Sequence, residues 1–402
     1  MTSPPFFVHQ RGSKRSAHGA CCLSPRHHQA VNCKLDAKLR AIADACFDAV
    51  EIFENDLLTA PQTACEIGVI MTDLGLACSI FQPFRDLEGM PEPLPTRALD
   101  RMERKFDVLG KRAATRGLRV GDKALAWGRH VNDHRDAWSL VRDVDPPAIG
   151  LVLDSFHSLS RNLPSSSIGD TRPDKLFIVQ LADAPLLDMD HLNWSRHFRA
   201  MPGQGDFALA EFAAAIRKIG YQGYWSLEVF NDRFRAGSSS LIARDGHRSL
   251  RLLEDDAARL LRQPTPMPPR VAPHGVEFIE FAARHEEAEQ FGRMFAALGF
   301  APVAHYRSRD VTRWVQGSSN LAINSEPEGL AHSFDVVHGG SVCALGLAVD
   351  DQSAAMARAE AQGIAVRGGG GPRRVGNSVA AQGWGKPALF RRCRNAIDDV
   401  GR

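Results

Sequence analysis

Six short apolar runs, set among helical patterns and each closing on or near a polar residue, restrict the first two thirds of this chain to an α/β fold with a parallel sheet. They are AVEIFEN (49–55), ACSIFQP (77–83), RVGDKALAWG (119–128), GLVLDSF (150–156), KLFIVQLAD (175–183) and YWSLEVFN (224–231). The segment KLDAKLRAIADAC (34–46) carries apolar residues at 35, 39, 42 and 46, one face of a helix. FALAEFAAAIRKIG (207–220) puts Leu209, Phe212, Ile216 and Ile219 on one stripe and stops at Gly220, a C-cap signal.

Open doubly wound sheets and closed barrels share this alternation. No GxGxxG follows a strand, which disfavours a dinucleotide-binding sheet. Polar residues stand at or just past the C-terminal strand ends: Glu54, Arg85, His130, Asp154 with His157, Gln180 with Asp183, and Glu228. An open sheet concentrates functional residues at one switch point, whereas a barrel draws them from several strands. The spread over all six runs predicts a (β/α)8 TIM-type barrel.

At about 100–200 residues per domain, 402 residues exceed one domain. Five prolines in QPTPMPPRVAP (263–273) mark a linker between a barrel over 35–262 and a second module over 274–366. That module reads strand, helix, strand, strand over 275–327, then strand and helix over 342–366, with 331–340 a loop: a small α+β fold. Residues 1–34 hold Arg11, Lys14, Arg15, Arg26 and Lys34 and no acid, and read as a disordered extension or an organellar leader. The Gly/Arg-rich stretch 367–402 also reads as disordered. A net charge of +2 argues against a nucleic-acid binder, and no apolar run approaches the roughly 18 residues of a membrane span. The 8 cysteines form no CxxC pair and leave 79–342 empty, which suits a reducing cytoplasm.

A carboxylate inside an apolar strand is costly unless something pairs with it. Asp154 in LVLDSF and Glu228 in WSLEVF are so placed, and Gln180 in FIVQLAD repeats the pattern. Each alone is explained by an arginine partner. Together, at matching strand ends, they form an oxygen-rich set suited to Mg²⁺ or Mn²⁺, with Co²⁺ or Zn²⁺ also accommodated. His157, three residues beyond Asp154, reads as a fourth ligand or a general base. Arg85 in FQPFRD can clamp a substrate carboxylate with two hydrogen bonds, or pair with Asp86 or Glu88. Ser195 and Arg199 lie in the polar segment NWSRHFRAMPGQGD.

FENDLL, FQPFRDLEGMP, ALAWGRHVNDHRDAW, GLVLDSFH, VQLADAP, RHFRAMPGQGD and WSLEVFND, in this order, resemble the 3-dehydroshikimate dehydratase family. That family lies in the xylose-isomerase-like (sugar phosphate isomerase/epimerase) barrel superfamily. Its fused bacterial members carry a C-terminal module like 4-hydroxyphenylpyruvate dioxygenase, a vicinal-oxygen-chelate fold. The resemblance covers 35–262 and, more weakly, 274–366. It implies conversion of 3-dehydroshikimate to protocatechuate by loss of water, in quinate and shikimate catabolism. It also implies Asp154, Gln180 and Glu228 as divalent-metal ligands, His157 as a catalytic histidine, and Arg85, Ser195 and Arg199 as substrate contacts. In that chemistry a metal-polarised ketone acidifies its neighbouring C–H, a base such as His157 removes the proton, and the enolate expels a β-hydroxyl.

The chain departs from the family at three points. The family's fourth ligand, a Glu, is replaced by Lys123, whose ammonium repels a divalent cation; Asp122 beside it should face away. The barrel is incomplete, since the first strand is not recognisable in CLSPRHHQAVNC and the fourth is missing before ALAWG; residues 22–33 are the nearest substitute for the first. The second module is truncated, and Glu280 stands where a metal-binding module would offer a His. No iron centre is expected, and His305, His332 and His338 read as surface or core residues. Competing readings are a sugar isomerase or epimerase on the same barrel, a dioxygenase, and an inactive homologue. The expected partner is a small molecule, with no nucleic acid and no membrane; the second module suggests a homo-oligomer.

Overall fold

The computed structural model describes residues 7–10, 34–82, 95–235, 237–265, 267–306, 309–364, 379–383 and 386–390. The chain divides into two compact units, 1–266 and 267–402.

The first unit is built on β1 (Phe7–Gln10), β2 (Ala49–Phe53), β3 (Ala77–Gln82), β4 (Val120–Asp122), β5 (Ile149–Asp154), β6 (Leu176–Leu181) and β7 (Tyr224–Leu227). All six apolar runs of the sequence are therefore strands. Their order in the sheet is β3-β2-β1-β7-β6-β5-β4. The pairs β2·β3, β4·β5, β5·β6 and β6·β7 are parallel. Between β2 and β7 the slot of a first barrel strand is taken by β1, which runs antiparallel to both. Among the described residues β3 and β4 are not paired with each other. This is the place where the sequence lacks a fourth strand: α4 (Pro95–Ala114) leads directly into β4.

β1 corrects the expectation of a wholly disordered 1–34 and of a substitute strand in 22–33. Composition describes the average of a segment, but two strand edges facing a gap offer unpaired N–H and C=O groups that a four-residue strand satisfies. The other residues of 1–33 lie outside the described residues.

The helices α1 (Leu35–Asp44), α2 (Glu54–Thr59), α3 (Ala64–Asp73), α5 (His134–Val144), α6 (Ser155–Leu159), α7 (His191–His197), α8 (Leu209–Lys218), α9 (Asp232–Arg235) and α10 (Ser239–Leu260) complete the unit. Leu39 and Ile42 of α1, Leu140 and Val141 of α5, and Phe212 and Ile216 of α8 join one core with Leu151, Leu153 and Val179 of the sheet. β5 and β6 are buried at every position, as central strands covered on both faces must be. Asp154 and Gln180 are therefore carried into the interior by their strands.

The second unit contains β8 (Pro273–Ala282), α11 (His285–Ala297), β9 (Ala301–His305), β10 (Val311–Gln316), β11 (Ser319–Asn324), α12 (Gly329–His338), β12 (Ser341–Val349), α13 (Gln352–Ala361), β13 (Val379–Gly383) and β14 (Lys386–Phe390), with sheet order β13-β14-β12-β8-β11-β10-β9. Two expectations are corrected. Residues 331–340 are not a loop, because α12 spans most of them. Its buried face includes Asp335, paired with Arg284 at 2.5 Å, so the apolar periodicity is broken by a charge. The tail 367–402 is not wholly disordered either: β13 and β14 form an antiparallel pair, and β14 lies beside β12. The pairing partner is an edge of the sheet, which local composition does not reveal. Glu280 accepts a hydrogen bond from Asn324 at 2.6 Å.

Candidate active site

Register places the polar strand ends at one level. Asp154 of β5 pairs with Gln180 of β6, and Gln180 pairs with Ser226 of β7; Glu228, two residues on, shares the face of Ser226. Asp154 also caps α6, its Oδ1 accepting from the Phe156 N–H at 2.8 Å. Its other oxygen, Oδ2, is left to the site.

Lys123, the residue after β4, reaches into the centre of this ring. Its Nζ donates to Gln180 Oε1 at 2.8 Å, to Glu228 Oε1 and Oε2 at 2.9 and 3.0 Å, and to Asp154 Oδ2 at 3.2 Å. Gln180 turns its Nε2 toward Glu51, 3.0 and 3.2 Å from the two carboxylate oxygens, and Gln82 donates to Glu51 Oε2 at 2.6 Å. Glu51 was not among the residues singled out in the sequence. It is a carboxylate inside the apolar run AVEIF, the same signal that identified Asp154 and Glu228.

Arg199 closes the other side. Its Nη1 donates to Glu228 Oε2 at 2.6 Å, to the Glu228 carbonyl at 3.0 Å and to Asp154 Oδ2 at 3.2 Å. Its Nε and Nη2 donate to Ser195 Oγ at 3.1 and 2.8 Å. The guanidinium lies 4.5 Å from the Phe156 ring centre and 5.0 Å from that of Phe230. Backbone bridges Phe198 to Asn231 and Asp183 to Ala200 hold the residues on either side of it. Both Arg199 and Ser195 are 1 % exposed.

His157 sits on α6 against Trp127, 4.9 Å between ring centres. The Ala126 N–H donates to its Nδ1 at 3.1 Å. Its Nε2 lies 3.3 Å from Arg199 Nη2, which can only donate, and 3.5 Å from Asp154 Oδ2. Burial keeps the imidazole well below its ordinary value, so it is neutral.

Charge in the cluster is unevenly held. Burial pushes Glu51 up to about 8, against the pull of Lys123. Burial also pushes Glu228 up to about 8, against Lys123 and Arg199. Asp154 stays well below the usual carboxylate range, because the Arg199 and Lys123 cations outweigh its burial. Lys123 is raised: burial lowers it, but Glu228 and Asp154 prevail.

Donor atoms of Asp154, His157 and Glu228 lie within 4.8 Å of one another, close enough to hold one metal ion. With Lys123 placed as it is, however, the residues do not fit a divalent cation. The point where Asp154, Gln180 and Glu228 converge is filled by Nζ at ammonium distances of 2.8–3.2 Å, longer than the roughly 2.0–2.2 Å of metal–oxygen bonds.

Comparison with known proteins adds the lineage. Residues 95–253 match the xylose isomerase-like TIM barrel family, and residues 269–390 match the N-terminal domain of hydroxyphenylpyruvate dioxygenase. A solved structure titled as a xylose isomerase-like TIM barrel/4-hydroxyphenylpyruvate dioxygenase fusion protein aligns with 90% of this chain and 65% of its own, at a TM-score of 0.82 and 41% identity. The two parts of the chain are thus each similar to one part of that fusion protein.

The chain is also similar to two 3-dehydroshikimate dehydratases. It is 44% identical over 380 residues to that of Pseudomonas putida, covering 84% of this chain and 60% of the relative. It is 44% identical over 370 residues to that of Pseudomonas aeruginosa, covering 82% and 58%. The chain thus spans about three fifths of the length of these relatives.

Of the residues expected at the barrel site, Asp154, His157, Gln180, Ser195, Arg199 and Glu228 come together with Lys123. Arg85 lies outside the described residues. Glu54 is exposed on α2, and Asp183 binds the backbone of the 203–207 turn.

Proposed function

We propose that the barrel unit is a dehydratase that converts 3-dehydroshikimate to protocatechuate with loss of water. The observation that carries this reading is the buried cluster of Asp154, His157, Gln180, Arg199 and Glu228, in a chain 44% identical to proteins named for that activity.

The reaction breaks a C–H bond next to a ketone, expels the β-hydroxyl, and aromatises the ring by a further proton shift. The first proton goes to the neutral His157 ring, the base read from the sequence. His157 then returns that proton to the departing hydroxyl, which leaves as water, and the ring ends neutral again. The Lys123 and Arg199 cations supply the positive potential that favours the enolate. No step is drawn through a metal. In a chain without Lys123, the oxygen-rich set would suit Mg²⁺ or Mn²⁺ over Co²⁺ or Zn²⁺.

The test is appearance of protocatechuate absorbance when the purified chain meets 3-dehydroshikimate. Loss of proton transfer in His157→Ala should slow turnover about 10²–10⁴-fold. A folded chain that forms no product overturns the proposal.

A further inference from the structure

We infer that Lys123 is the resident cation of this site, and that its ammonium stands in for a divalent metal and excludes one. The inference rests on the reading of Asp154, Gln180 and Glu228 as a cation-binding set. It does not depend on the substrate.

Three observations carry it. The ammonium lies within hydrogen-bond distance of four oxygens from three different strand ends, which is the constellation a cation would otherwise organise. The same oxygens are ordered by a second cation, Arg199, so the set is already matched by positive charge. The Asp154 and Glu228 side chains are only 0% and 4% exposed, so their charges are left to the cations beside them rather than to solvent. A divalent ion must displace Nζ to reach them, and it would still meet the Arg199 guanidinium paired to the same oxygens. The remainder of the shell is held as a metal shell is held: Gln180 is oriented by Glu51, and Asp154 by the Phe156 N–H. The lysine thus keeps a cation-binding architecture assembled with a charge of one and no exchangeable ion.

The experiment is direct metal uptake at neutral pH by the full chain. Mn²⁺ is followed by loss of the free-ion electron-spin resonance signal, and Co²⁺ by visible absorbance. The comparison is wild type against Lys123→Glu and Lys123→Gln. Changes in a metal's outer shell alter affinity by about 10–100-fold, so removing a cation from the centre should raise affinity by more than about 100-fold. Wild type should take up no stoichiometric Mn²⁺ or Co²⁺ at concentrations where the variants take up one. The Gln variant is neutral and near in length, and carries the test if Lys123→Glu does not fold. Stoichiometric uptake by wild type, abolished in Asp154→Asn, overturns the inference. So does a cooperatively folding Lys123→Gln that takes up no metal. Because no outcome is read from turnover, failure of the dehydratase assay leaves this result intact, and the reverse also holds.

Discussion

Lys123 Nζ stands 2.9 and 3.0 Å from the two carboxylate oxygens of Glu228, a residue 105 positions away in the chain. Both side chains belong to the interior end of the sheet, where an unpaired charge is far more costly than on the surface. Lys123→Ala should therefore destabilise the first unit by about 3–5 kcal/mol, read from the midpoint of urea unfolding. EDTA should leave the wild-type melting temperature unchanged, since a ligand that is not bound contributes nothing to stability. A wild-type melt that falls on chelation would contradict the lysine-centred arrangement.

Arg199→Ala should cost about 3–5 kcal/mol for the same reason, because Asp154 and Glu228 lose their second cation. Ser195 gives a sharper comparison. Its Oγ accepts from Nε and Nη2 of Arg199, so Ser195→Ala should cost about 1.5–3 kcal/mol, as a hydrogen bond to a charged group does. If Ser195 serves only to touch substrate, denaturant unfolding of Ser195→Ala will match wild type.

The turn after Arg199 depends on a glycine. Asp183 accepts from the N–H groups of Ala184, Gly203 and Phe207 at 2.9, 3.0 and 3.1 Å, folding the segment around its carboxylate. A Cβ on Gly205 would lie 2.4 Å from Asp183 Oδ1 and 2.5 Å from the Ala184 nitrogen. Gly205→Ala should destabilise by about 1–3 kcal/mol, as overpacking does. Gly68, inside α3 with open space at its Cβ, makes the control: Gly68→Ala should stabilise by about 0.5–1 kcal/mol. Thermal unfolding of the two variants should therefore move in opposite directions.

His134 links stability to pH. Its ring nitrogens contact Ser158 Oγ at 3.1 Å and Ser167 Oγ at 2.8 Å, and burial lowers its affinity for a proton, partly offset by Asp133 and increased again by Arg135. The unfolded chain protonates at the ordinary value of 6.5 while the folded chain does not. Stability is thus complete above 6.5 and falls as pH drops below it, by at most about 1.4 kcal/mol per pH unit for one proton. Denaturant unfolding of His134→Gln should lose less than wild type between neutral pH and pH 5.5. Equal acid losses in both proteins would remove His134 from this role.

Most of the sheet was legible because a buried parallel strand is a local signal. LVLDSF, FIVQLAD and WSLEVF are continuous apolar runs with one polar residue each, and those residues became Asp154, Gln180 and Glu228 of the cluster. Glu51 carries the same signal in AVEIF, whereas Glu54, the first residue of α2, is exposed. β1, the β13·β14 pair and α12 were not legible. The first two form because a sheet edge offers backbone partners, and the third because Asp335 on its buried face is matched by Arg284 on another element.

The sequence by itself determined the α/β alternation, the two-part organisation, and the presence of carboxylates and an amide at strand ends. It also showed that Lys123 stands where a Glu is expected. Only the tertiary structure decided what that lysine does. Periodicity and propensity act over a few residues, whereas the distance from Nζ to Asp154, Gln180 and Glu228 follows from the register of four neighbouring strands. Likewise, His157 is held between a backbone N–H 31 residues away and the Arg199 guanidinium 42 residues away. Such convergence arises only when the sheet is assembled, and it turns an expected repulsion between a lysine and a metal into a site already filled by an ammonium.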